Sequence, residues 1–204
     1  MLIPMADSIH IKLPDGSTKE VPRGTTALDV AKSIGQRLAD AALAAKTNGD
    51  LIDLTRPLEK DTDLRILTDR DPEALEVYRH SSAHLLAAAV LELFPETKLG
   101  HGPATEEGFF YDFYRPTPFS PDDLLKIEKK MQELVEQNLP YAREFLPRTE
   151  GLEKFKSEGD FMKCHFIEQF TKPDETISIY KTGKFTDFCR VHTFPRQGAS
   201  RLLS

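Results

Sequence analysis

Residues 80–84 read HSSAH, two histidines four positions apart. An imidazole can take or give a proton near neutral pH, or hold a metal through one ring nitrogen. On a helix, residues four apart are neighbours, so both rings would face one way. Late in the chain comes a second polar run, Asp187-Phe188-Cys189-Arg190-Val191-His192. His80, His84, Cys189 and His192 make a four-donor set of the kind that holds zinc. The same groups can instead position and deprotonate a water for hydrolysis. A histidine pair of this spacing is also common as a partly exposed hydrogen-bonding pair, and no Glu follows His80 as in a zinc-protease helix.

The element that must carry the histidines is a helix. Asp71 and Pro72 form a helix start, Glu73 and Glu76 complement its dipole, and Pro95 stops it after about Phe94. On a helical wheel Leu75, Tyr78, Ser82, Leu85, Leu86, Ala89 and Leu93 share one side. His80 and His84 fall opposite, beside Val77, Ala87, Ala88 and Leu91. A helix apolar on both sides is sandwiched, so the imidazoles are expected to line an internal crevice.

Other elements follow. LGHGPATEEGFFYDFY reads as a glycine-rich turn leading into an aromatic strand. A second helix starts at Ser120-Pro121-Asp122-Asp123, with Leu124, Ile127, Met131, Leu134 and Val135 at helical spacing. YAREFLPR reads as a strand, TEGLEKFKSEG and DFMKCHFIEQF as helices, and ISIY and KFTDFC as strands. Earlier, residues 8–68 form a unit of their own. IHIKL and STKEV flank the turn Pro14-Asp15-Gly16 as a hairpin. Thr25 or Thr26 caps a helix over ALDVAKSIGQRLADAALAAK, and residues 51–54 and 64–67 read as short strands. Strands with one packed helix in so short a segment give a small α+β domain.

Two resemblances follow from these stretches. LPDGSTKEVPRGTTALDVAKSI and LRILT resemble the TGS domain, a ubiquitin-like β-grasp module. HSSAHLLAAAV, LGHGPATEEGFFYDF and FTDFCR, in that order, resemble the editing domain of threonyl-tRNA synthetases. The implied organisation is a TGS domain over 1–68 and an α+β editing domain with antiparallel sheet and long helices over 69–204, incomplete at its C-terminus. The family's synthetic site cannot reject serine well, because one missing methyl is worth only ~1–3 kcal/mol, so a second site hydrolyses the mischarged ester. By this resemblance His80 and His84 hold water and the 3′ end of the threonine tRNA. Lys163 meets the ester or its negative charge, Gly102, Tyr111 and Asp112 belong to the substrate pocket, and Asp187 and Cys189 belong to the second cluster. No cofactor is expected to be required for editing, zinc at His80, His84, Cys189 and His192 being the alternative. ATP and the family's zinc belong to a ligase core that is expected to be absent, as is the homodimer contact, so the piece is expected to be a monomer. Cys164, His165 and His101 are given no role.

One departure stands at the end. The family pattern is Cys-Arg-Gly-Pro-His, whereas here Cys189 and His192 are three apart. Back-translating residues 191–204 with one nucleotide restored yields GPHVPSTGRVKAFK, so the chain is expected to be truncated or frameshifted after Arg190. Two other functions fit the residues: a non-enzymatic RNA-binding or regulatory TGS module, and a freestanding zinc-dependent aminoacyl-tRNA deacylase.

Composition bounds these readings. The chain has 204 residues, 29% of them charged, and a net charge of −6. Non-specific nucleic-acid binding through overall charge is thereby disfavoured. A local basic surface from Lys129, Lys130, Arg143, Arg148, Lys181, Lys184 and Arg190 stays open. No apolar run approaches the ~18 residues of a membrane span. Two cysteines make no disulfide framework, and a cytoplasmic location is expected.

Overall fold

The computed structural model describes residues 7–189. Arg190, His192 and the rest of residues 190–204, where a frameshift is expected, lie outside the described residues. The contact pattern divides the chain into two compact units, with residues to Val77 in the first and residues from Tyr78 in the second. This division falls within a helix whose first turn is tied to the first unit: Glu73 pairs with Lys46 (3.0 Å) and Arg65 (3.5 Å).

In the first unit, β1 (Ser8–Lys12) and β2 (Thr18–Pro22) form the expected hairpin. Ile9 and Ile11 point inward while Ser8, His10 and Lys12 stay exposed, which is the period-two pattern of a strand with one buried face. Thr26 caps α1 (Ala27–Ile34), and its hydroxyl and the Asp29 carboxylate form a reciprocal capping box. The long helix expected to Lys46 does not continue. After Gly35 comes a short α2 (Gln36–Ala41), and then the alanine-rich stretch becomes β3 (Ala42–Thr47). Alanine's helix preference is under 1 kcal/mol per residue relative to ordinary residues. It yields here to pairing on both edges, with β4 (Asp50–Ile52) and β5 (Thr62–Thr68). The sheet order is β2-β1-β5-β3-β4, with β1 and β5 parallel. Ala27 and Val30 of α1 join Ile9, Ile11, Ala45, Ile52 and Leu64 in the core, which is the β-grasp arrangement.

α3 (Pro72–Leu93) runs across the division. In the second unit it is followed by the short pair β6 (Lys98–Leu99) and β7 (Phe113–Tyr114), much less strand than FFYDFY implied. Next come α4 (Pro121–Gln137), capped by Ser120 as expected, β8 (Ala142–Pro147), α5 (Arg148–Ser157), α6 (Phe161–Phe170), β9 (Thr176–Thr182) and β10 (Phe185–Phe188). The strands β10-β9-β8 form one antiparallel sheet. From residue 80 to 90 only Leu86 of α3 is not buried, so this stretch is enclosed on all sides, as its wheel implied. Leu75, placed on the apolar side by that wheel, is 45% exposed. Among the described residues no helix is long and apolar enough to cross a membrane.

Candidate functional site

The site is built on elements of the second unit. α3 presents His80 and His84 one turn apart, with ring centroids 4.5 Å from each other. Both are buried, and so are Lys163 near the start of α6, Asp187 in β10 and Cys189 just beyond it. Asp160 caps α6 and accepts from the Lys163 N–H (3.1 Å), which fixes the turn that sends Lys163 inward. Cys189 is held against β9: its N–H donates to the Ser178 carbonyl (3.1 Å) and its carbonyl accepts from the Ser178 hydroxyl.

These side chains meet. His80 Nε2 lies 2.8 Å from Cys189 Sγ, and His84 Nε2 lies 4.0 Å from Asp187 Oδ2. The Lys163 ammonium donates to the Gly100 carbonyl (2.8 Å) and to the Tyr111 hydroxyl (3.3 Å), and forms an ion pair with Asp187. The Tyr111 hydroxyl donates to Asp187. Of the residues singled out from sequence, His80, His84, Lys163, Tyr111, Asp187 and Cys189 therefore converge. Gly102 contributes through space: a Cβ there would stand 2.2 Å from Cδ2 of the Tyr111 ring, so only glycine lets that ring lie where it does. Asp112 stands apart with an exposed side chain. Its backbone does the work, accepting from Gly100 N–H (2.7 Å) and donating to the His101 carbonyl (2.9 Å).

Gly100 and Ser178 were missed. Each acts through contacts that no spacing reveals, although Gly100 does open the glycine-rich HGP turn. The expected basic surface is largely committed elsewhere. Lys130 pairs with Glu133 and Glu92, Lys181 with Glu144, Arg148 bonds Thr171, and Arg143 lies over the Phe145 and Tyr180 rings.

Electrostatics follow from burial. His80 is pushed down to about 3, first by loss of solvent, then by His84, against a partial pull from Asp187. His84 is pushed down to about 3 by burial and by Lys163. Both rings are therefore neutral at physiological pH, able to accept a hydrogen bond from water or bind a metal. Burial and the Asp187 charge push the Tyr111 phenol well up, so it stays a donor. Neutral bases facing an ammonium and a phenol donor can activate a water and receive the negative charge of a carbonyl under attack. His80, His84 and Cys189 also offer donor atoms all within 4.8 Å of one another, a fair set for a borderline-soft cation such as zinc.

Comparison with known proteins accounts for both units. Residues 9–68 match the TGS domain. Over 91% of its length the chain is 52% identical to a threonine–tRNA ligase of Acidobacterium capsulatum, covering 32% of that protein. The chain is homologous to the N-terminal part of threonine–tRNA ligases. Identity is 48% to the enzyme of Hyphomonas neptunium (93% of this chain, 29% of the relative) and 48% to that of a Janthinobacterium (96% and 31%). The chain thus spans about a third of the length of the curated relatives it matches. Its kinship is with aminoacyl-tRNA synthetases, proteins of protein biosynthesis.

Proposed function

We propose that the second unit is an editing domain that hydrolyses the ester of serine wrongly attached to threonine tRNA, with the TGS domain as its companion. What supports this reading most is the convergence of His80 and His84 from α3 with Lys163 from α6 and Asp187 and Cys189 from the end of β10, buried in one cluster. A neutral imidazole of α3 holds and orients a water through a hydrogen bond, and the water's proton passes toward the ribose oxygen as its oxygen adds to the ester carbonyl. Lys163 and the Tyr111 hydroxyl stabilise the oxyanion. The bond from carbonyl carbon to ribose oxygen then breaks, and the ribose oxygen receives the proton. Asp187 orients Lys163 and Tyr111 by its contacts to both. The products are free serine and uncharged tRNA. The 3′ end of the tRNA is the partner, the cytoplasm the location, and the ligation reaction belongs to the part of the relatives outside the match.

A second reading is favoured by the donor set: zinc held by His80, His84 and Cys189. The separation of His80 Nε2 and Cys189 Sγ, 2.8 Å, is that of a hydrogen-bonded pair. Bonds of about 2.0 and 2.3 Å at a tetrahedral centre put two such ligands about 3.5 Å apart, so loading requires the pair to open by under 1 Å. The metal would supply a polarised water; Lys163 and Tyr111 would keep their roles.

The test is deacylation of seryl-tRNA by the chain, with threonyl-tRNA as control and with and without a chelator. Hydrolysis of the seryl ester that survives chelation supports the metal-free reading. Loss on chelation moves the assignment to zinc. No hydrolysis under either condition overturns both.

A further inference from the structure

One face of the sheet β10-β9-β8 serves the histidine cluster. Asp187 of β10 stands opposite Tyr180 of β9, and Tyr180 stands opposite Arg143 of β8. Side chains alternate between the two faces of a strand, so Ser178 shares the face of Tyr180. The Tyr180 ring meets the His84 ring edge-on, with centroids 5.8 Å apart. Cys189 follows Asp187 by two positions and places its Sγ 2.8 Å from His80 Nε2. The paired register of β10 with β9 ends at Phe188, so the thiol stands just past it. Its position therefore depends on what grips the Cys189 backbone.

Ser178 grips that backbone twice. Its carbonyl accepts from the Cys189 N–H (3.1 Å), and its hydroxyl donates to the Cys189 carbonyl. A hydroxyl has one proton to give. Arg143 decides where that proton points, because its Nη2 donates to Ser178 Oγ at 3.3 Å. A guanidinium carries donors and no acceptor, so the Ser178 oxygen must accept there. The hydroxyl proton is thereby directed to the Cys189 carbonyl. The guanidinium lies over two rings, 4.7 Å from the Phe145 centroid and 5.2 Å from the Tyr180 centroid, and a planar cation suits that place. Ser178 is buried, and the half-buried Arg143 reaches it from the edge strand β8.

We propose that Arg143 and Ser178 form a brace that positions the Cys189 thiol against His80. Arg143 orients the Ser178 hydroxyl, the hydroxyl holds the Cys189 carbonyl, and the thiol keeps its contact to His80 Nε2. Both are positioning residues that act through Cys189. The consequence for catalysis rests on the hydrolase reading above; the contact between thiol and imidazole does not. Misplacing a reacting group by about 1 Å can cost roughly a hundredfold in rate, so a support that touches no substrate still matters.

The test is NMR of the full chain with isotope-labelled imidazole nitrogens. Cys189→Ala gives the His80 Nε2 shift without the thiol. Ser178→Ala and Arg143→Met are each expected to move Nε2 toward that value, while the exposed His10 and His165 keep theirs and circular dichroism is unchanged. Ser178→Thr, which keeps the hydroxyl, is expected to keep the wild-type shift. Because Arg143 acts through Ser178, the double variant Arg143→Met with Ser178→Ala is expected to shift no further than Ser178→Ala alone. A wild-type Nε2 shift in both single variants, or additive shifts in the double variant, overturns the brace. Should Ser178→Ala fail to fold, Arg143→Lys decides: it keeps the charge without the planar fork, and a wild-type shift there overturns the brace. Seryl-tRNA deacylation separates its fate from that of the hydrolase reading. With hydrolysis by wild type, kcat is expected to fall about tenfold in Ser178→Ala at unchanged KM, and an unchanged kcat sinks the brace alone. Moved Nε2 shifts without any hydrolysis by wild type support the brace and sink the hydrolase.

Discussion

The two units use the same charged residue types in opposite ways. In the first, no ion pair is fully buried: Arg23 with Asp7 leaves 48% and 71% of the side chains exposed, Lys32 with Asp29 leaves 53% and 54%, and even Lys46 with Glu73 leaves 28% and 37%, among the described residues. In the second, Lys163 and Asp187 retain 3% and 4%. Of the buried polar and charged residues among the described ones, Asp53 alone lies in the first unit; the rest, from His80 to Asp187, lie in the second. Exposed pairs cost little to form and contribute little. A buried pair must recover a desolvation cost of several kcal/mol through geometry, and replacing it with apolar residues is often neutral or stabilising. The β-grasp unit is thus built as a scaffold, and the second unit accepts a cost that a scaffold does not need.

The largest way to break this contrast is to remove one partner of the buried pair. Lys163→Met leaves Asp187 uncompensated and is expected to destabilise the second unit by about 3–5 kcal/mol. Lys32→Met in the first unit is expected to leave its unfolding midpoint in place. Lys163→Met combined with Asp187→Leu should recover much of the stability but none of the deacylation. Urea unfolding followed by circular dichroism reads all three. If Lys163→Met costs no more than Lys32→Met, the contrast between the units disappears.

Acid gives the next largest effect. Both buried histidines are held near 3, below the ~6.5 of an unfolded chain. Below about pH 6.5 the unfolded state takes up protons that the folded state refuses. The stabilisation is complete above that pH and is lost as pH falls toward 3, at about 1 kcal/mol per pH unit for each histidine. Urea midpoints at pH 7 and pH 5 should therefore fall apart for the second unit, and His84→Gln should make the dependence shallower. Identical dependence in the variant would show that His84 is not held neutral by burial.

Much of this was readable from local signals. The hairpin turn at Pro14-Asp15-Gly16, the caps Thr26 and Ser120 and the start and end of α3 are dictated by residues within a turn of one another. The face shared by His80 and His84 follows from their spacing alone. What was missed is non-local. Ala42–Thr47 is a strand because β4 and β5 flank it, which nothing inside the stretch announces. The Gly100 carbonyl and the Ser178 hydroxyl serve Lys163 and Cys189 across 63 and 11 residues of chain. The meeting of α3 with the end of β10 was reached through family resemblance, since a histidine pair and a distant cysteine do not by themselves say that they touch. His192 falls outside the described residues, so the altered Cys-to-His spacing keeps the status of an expectation.

Glycines sharpen the comparison at smaller cost. At Gly102 a Cβ would press on the Tyr111 ring at 2.2, 2.6 and 2.9 Å. Gly102→Ala is therefore expected to cost about 1–3 kcal/mol and to lower deacylation by displacing the hydroxyl that donates to Asp187. At Gly49 nothing lies within 4 Å, but φ is +92°. Gly49→Ala is expected to cost about 1–2 kcal/mol through backbone strain alone and to leave deacylation untouched. Similar stability losses with different effects on activity separate a glycine that makes room from one that makes a turn.

The smallest effect comes from the cap of the first unit. The Thr26 hydroxyl accepts from the Asp29 N–H (3.2 Å) and donates to its carboxylate (2.6 Å), which holds that carboxyl below the usual range. Thr26→Ala removes both bonds, and about 1 kcal/mol should be lost from the first unit. The Asp29 carboxyl should titrate higher by NMR, and amide exchange should quicken at the start of α1. The cap's hydrogen bonds run between Thr26 and Asp29 of the first unit, and the histidine cluster is held by side chains of the second. Exchange in the second unit and seryl-tRNA deacylation should accordingly stay at their wild-type rates. A parallel fall in activity would mean that the first unit contributes to catalysis by more than scaffolding.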